Sequence, residues 1–84
     1  MNWPVIWRPS ATRQLAQGWN DAADRNAYTA AANQIDADLE RDPLNVGASR
    51  AGQRRIHIVP PLAVYYDVDV ARREVIGWAV WRID

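Results

Sequence analysis

Between Arg54 and Tyr66, in the stretch RRIHIVPPLAVYY, lie two arginines, the sole histidine and two of the three tyrosines of this 84-residue chain. An imidazole can move a proton near neutral pH, a guanidinium grips phosphate or carboxylate through a planar fork, and a phenol donates a hydrogen bond or stacks on a ring. From Pro43 to Tyr66 no residue is acidic, whereas Arg50, Arg54 and Arg55 are basic. The chemistry expected of this segment is therefore recognition of an anion.

The elements that must position these groups are two strands folded back at Pro60-Pro61. Alternation sets Ile56 and Ile58 on one face of the first strand and Arg55, His57 and Val59 on the other. On the return strand Leu62, Val64, Tyr66 and Val68 share a face, with Ala63, Tyr65 and Asp67 opposite. A sheet buried on one side only is expected to expose Arg55, His57 and Tyr65 together.

The rest of the chain supplies a scaffold. Trp3 to Trp7 is aromatic and β-branched, as a short strand requires. Ser10 is expected to cap a helix carrying Ala11, Leu15 and Trp19 on one side, ended by Gly18 or by Asn20-Asp21. Asp21 is expected to cap a longer helix, whose apolar line Tyr28, Ala31, Ala32, Ile35, Leu39 keeps helical spacing until Asp42-Pro43 stops it. Glu74 to Arg82 reads as a last strand, with Val75, Gly77, Ala79 and Trp81 on one face and Ile76, Trp78 and Val80 on the other. The predicted order is β-α-α-β-β-β. That is an α+β fold, a two-helix hairpin packed on one face of a largely antiparallel four-stranded sheet. Because the last strand is apolar on both faces and helices cover only one, a partner is expected over Trp78 and Val80.

Composition excludes several classes of function. Ten arginines balance ten acidic residues and there is no lysine. The charge is unevenly spread, since residues 21–42 hold six acidic residues and two arginines. With no cysteine and one histidine, neither a disulfide framework nor a metal site is expected. The glycine spacing matches no phosphate-binding fingerprint, and no cofactor is expected. No apolar run approaches the roughly 20 residues that span a bilayer. A single cytoplasmic domain over residues 1–84, without membrane contact, is the expectation.

Taken together, DADLERDPLNVGASRAG, RRIHIVPPLAVYYDVD and the closing VWR resemble the RelE/ParE superfamily of type II toxins, over Val5 to Arg82. The resemblance implies a toxin neutralised by a cognate antitoxin, with one of two targets. RelE-like members are ribosome-dependent mRNA endonucleases, or mRNA interferases, that act through the open face of the sheet, and this is the activity expected of the chain, with the second target as the alternative. ParE-like members inhibit DNA gyrase without cutting anything. For the endoribonuclease, His57 would serve as base or acid, Arg55 and Arg82 would hold the phosphate, and Tyr65 would donate a hydrogen bond or stack on a base. Arg50 and Arg54 would contact nucleic acid, and Trp78 and Val80 the antitoxin. For the gyrase inhibitor, or for an interaction-only member, no such set need assemble.

Overall fold

The computed structural model describes residues 2–50 and 52–83. The two ends of the expected 1–84 unit and Ala51 lie outside the described residues. Strand β1 (Val5–Trp7) leads into helices α1 (Pro9–Asp21) and α2 (Arg25–Arg41), followed by β2 (Ala48–Ser49), β3 (Arg54–Val59), β4 (Leu62–Asp69) and β5 (Glu74–Arg82). The sheet has five described strands in the order β1-β5-β4-β3-β2, not four. The added strand β2 pairs Ala48 with Ile56 and Ser49 with Arg55. Two residues are too few to show a period, so the sequence offers no signal for it. β1 runs parallel to β5 because the helices carry the chain across one face before it returns; the other pairs are antiparallel.

Both helices cover the same face. Ala11, Tyr28, Ala31, Ile35 and Leu39 join Leu62, Val64, Tyr66, Val68, Val75 and Val80 in one buried cluster. The helix starts differ from the sequence reading. Pro9 opens α1, its fixed φ already helical, so Ser10 lies inside the helix and its hydroxyl donates to Trp78 O at 3.5 Å. The cap of α2 is Asp24, not Asp21: its carboxylate accepts from the Ala27 amide at 3.0 Å, three residues on, as an N-cap must. α1 runs through Gly18 to Asp21. At Gly18 a side chain would strike the Tyr28 ring, so glycine lets the helices approach. Asp42, just beyond α2, ends it ahead of Pro43, as the sequence requires.

β5 departs from simple alternation. Tyr65 pairs with Ala79 but Tyr66 with Gly77, which leaves Trp78 as the extra residue of a β-bulge. The bulge changes the phase of the strand. Before it, Val75 and Gly77 face the helices; beyond it, Val80 does so and Trp81 faces away. Val80 is thus buried in the core, which corrects its expected place on a partner-facing surface. α1 and its lead-in fasten the bulge: the Arg8 amide donates to Gly77 O and the Val80 amide to Gln14 Oε1, both at 2.9 Å. Gly77 has no alternative there, because the Trp7 ring occupies the space a Cβ would need.

Candidate functional site

The Pro60-Pro61 turn pairs Val59 with Leu62, and the rest of the hairpin follows: His57 faces Val64 and Arg55 faces Tyr66. Residues directly opposite in an antiparallel pair share a face. Arg55 and His57 therefore lie on the helix-covered side, while Arg54, Ile56 and Ile58 share the open side with Asp67, Tyr65 and Ala63. The expected joint exposure of Arg55, His57 and Tyr65 does not occur. The two-residue turn carried the signal, since it fixes which alternation on β3 meets Val64 and Tyr66.

On the covered side these side chains bind the fold together. His57 Nε2 sits 2.9 Å from Asp38 Oδ2, and Gln34 donates to Asp38 Oδ1 at 2.7 Å. A carboxylate can only accept, so Nε2 carries the proton in this pair. Arg41 lies 3.5 Å from the same carboxylate. Burial alone would raise the Asp38 carboxyl, but the hydrogen bonds from His57 and Gln34, with the charges of His57 and Arg41, hold it below the usual aspartate range. The cluster joins the last turns of α2 to β3. Arg55 Nη2 donates to Gly47 O at 2.6 Å, and Tyr66 donates its hydroxyl to Pro43 O at 2.7 Å. Burial pushes the Tyr66 phenol up, against the pull of the neighbouring Arg55. Arg55 and Tyr66 so pin the loop after α2 to the sheet, and Gly47 is required because a Cβ would meet the Tyr66 hydroxyl. Arg82 is on this side too, at the other end, donating from Nη1 to Asp21 O at 2.7 Å.

The open side carries a different set. Asp67 accepts from Trp78 Nε1 at 2.6 Å and from Arg54 Nε at 3.0 Å. The Arg54 guanidinium lies 5.5 Å from the Trp78 ring centre and 5.8 Å from that of Tyr65, and Arg8 stacks on Trp78 at 4.5 Å. Tyr65 in turn packs against Trp81, ring centres 4.8 Å apart. A continuous row of guanidinium and aromatic groups results, Arg8, Trp78, Arg54, Tyr65, Trp81. Arg8 is its unexpected member, coming from the β1–α1 junction, far away in sequence, and Trp81 joins the row against the expected alternation of β5; Asp67, beside the row, shares the face of Tyr65 as expected. Arg50 is exposed in the loop before β3 and contacts β3 through its amide, which donates to Arg54 O at 2.8 Å.

Of the four residues expected to form the catalytic set, Arg55 and His57 are brought together on the covered side, Arg82 lies beyond them near α1, and Tyr65 is across the sheet. Among the described residues no group of His, Cys, Asp and Glu could hold a metal ion, and no helix is long and apolar enough to cross a membrane. A separate open groove of about 410 Å³ runs between the helices, lined by Leu15, Trp19, Tyr28 and Ala32 among others.

No protein-family model matches the chain, and no curated protein matches its sequence. Its structure is similar to that of a chain in the toxin-antitoxin complex RelBE2 from Mycobacterium tuberculosis, with 20% sequence identity, a TM-score of 0.77, and coverage of 98% of this chain and 99% of that one. It is similar to the isolated E. coli RelE toxin at 9% identity and a TM-score of 0.71, covering 98% of this chain and 85% of that one. A chain of the chromosomal ParDE system from P. aeruginosa matches at 13% identity and a TM-score of 0.69, with 98% and 97% covered. The fold is that of the RelE/ParE structures.

Proposed function

We propose, with the RelE/ParE fold as premise, that this protein is the toxin of a type II toxin-antitoxin pair, a single cytoplasmic domain silenced by a cognate antitoxin, and that it acts by binding its target in the manner of a ParE-like inhibitor of DNA gyrase. The observation that supports binding over cutting is the dispersal of the candidate catalytic set. Metal-free RNA cleavage needs a base, a phosphate clamp and an acid around one phosphodiester. Here His57 is engaged by Asp38, Arg55 by Gly47 O, and Tyr65 faces away from both.

The second reading is a ribosome-dependent mRNA endonuclease. It is favoured by the open-face row, where Arg54 could meet phosphate and Tyr65 or Trp81 could stack on a base. Induced expression without antitoxin separates the two. A gyrase inhibitor lowers plasmid supercoiling while pulse-labelled protein synthesis continues; an endonuclease stops synthesis first and leaves cuts within reading frames. Unimpaired growth at full expression would overturn the toxin reading and leave an interaction-only protein.

A further inference from the structure

We propose that the open face of the sheet, centred on Trp78, is a docking surface for a polypeptide segment bearing two carboxylates and apolar side chains. The proposal rests on the toxin reading in taking the antitoxin as the source of that segment, and it adds the face and the chemistry of contact. Neither helix covers this face. Ile6 and Ile58 are 46% and 50% exposed on it, and Tyr65, Ile76, Trp78 and Trp81 are half-buried beside them.

The charges on the face specify the occupant. Asp67 is spent, its two oxygens taken by Trp78 Nε1 and Arg54 Nε. Arg54 meets that carboxylate through Nε and not through its terminal nitrogens, and Arg8 has no carboxylate within 4 Å among the described residues. Both guanidinium groups are nevertheless held against the same indole ring. Stacking orients a guanidinium while leaving its edge donors free, and a carboxylate is the planar group that fits such a fork. Two positioned cations with open forks, between exposed isoleucines and Trp81, call for two acids spaced among apolar residues.

A nucleic acid would fit this face less well. Asp69 and Glu74 pair across the same side at the far end of the β4–β5 ladder, so a polyanion laid along the strands would cross carboxylates. A short segment with two acids need not reach them.

Display selection on the full chain tests the assignment. A random 12-residue peptide library is selected against the wild type, and enriched peptides are titrated against Arg8→Gln, Arg54→Gln, the double variant and Trp81→Ala, with exposed Arg13→Ala on α1 as control. The expected winners carry two acidic residues among aliphatic or aromatic ones and shift the indole N–H resonances of Trp78 and Trp81 in the full chain. Each single arginine variant should weaken them by roughly two- to fivefold, as exposed pairs do, and Trp81→Ala by about thirtyfold or more if it is the anchor. Arg13→Ala should change nothing. Arg8→Gln keeps the test valid even where Arg54→Gln disturbs Asp67, because the Arg8 side chain holds no other part of the fold. Winners without acidic bias, winners indifferent to both arginines, or winners that shift Trp19 in the helix groove instead would overturn the proposal. So would a 12-nucleotide oligouridine that binds through Arg8 and Arg54 when no peptide does. Growth arrest on expression, with no such peptide found, would leave the toxin reading standing and remove only this surface.

Discussion

Arg54 and Arg55 are neighbours of one type on one strand, and they have opposite fates. Arg55 points to the helices and, with His57, ties helix α2 and the following loop to β3. Arg54 points to the uncovered side and joins a row of rings and guanidinium groups. The covered face turns most of its polar chemistry to its own backbone and to Asp38, with Arg55 Nε buried and without a hydrogen bond, whereas the open face leaves the terminal nitrogens of Arg8 and Arg54 unspent. Residue type therefore says little here about whether a side chain serves the fold or a partner; the face it occupies decides.

Substitutions that reach into the covered face should cost the most. Leu39→Ala and Ile35→Ala remove large side chains from the one buried cluster, and each should cost about 2–5 kcal/mol in urea unfolding. An unchanged midpoint in either would mean that α2 does not dock as described.

Gly47→Ala should follow at about 1–3 kcal/mol, because the new methyl meets the Tyr66 hydroxyl and the Ile56 carbonyl, a backbone atom that cannot swing aside.

His57→Ala should cost about 1–3 kcal/mol, because Asp38 stays buried with one partner fewer. Its effect on growth arrest should vanish when expression is compared at a temperature where the variant is folded. A folded His57→Ala protein with no toxicity would break the contrast between the faces and restore the imidazole to chemistry.

Acid should act through the same cluster. The folded Asp38 carboxyl lies below its ordinary value of 3.8. Its contribution is thus fully present above that value and is lost as pH falls from there through the lower folded value. Asp38→Asn should flatten this limb of the stability curve, measured by thermal melts between pH 5 and 2 (roughly the window of such carboxylates). A limb of unchanged steepness would assign the acid sensitivity to other groups.

Arg54→Ala should have the smallest effect on stability, about 1 kcal/mol or less, since its pair with Asp67 is part-exposed and solvent-screened. A loss as large as that of His57→Ala would erase the distinction between a face that holds the fold and one that contributes little to it.

Much of the architecture was written locally. The apolar line from Tyr28 to Leu39, the stop at Asp42-Pro43, the Pro60-Pro61 turn and the spans of β3 and β5 follow from side-chain period and turn chemistry, which act between residues close in sequence. Even the inward face of Arg55 and His57 was implied, because a two-residue turn fixes the register that sets them opposite Tyr66 and Val64. The caps were harder: Ser10, Asp21 and Asp24 are all cap-forming types, and the choice among them depends on which amide each can reach.

Tertiary structure decided the rest. Period-two reading fails at Trp78, because the bulge is made by the mismatch between two strands and held by Arg8 and Gln14 from elsewhere in the chain. That one extra residue buries Val80 and sends Trp81 outward. β2 exists only because β3 offers it an edge. The row on the open face gathers Arg8, Arg54, Tyr65, Asp67, Trp78 and Trp81 from four separate segments. The sequence by itself determined which elements form and, through the two-residue turn, which way β3 faces, since those depend on neighbours along the chain; the phase of β5 beyond Trp78, the pairing of β2 and the arrival of Arg8 beside Trp78 were set by register and packing between segments that only the folded sheet brings together.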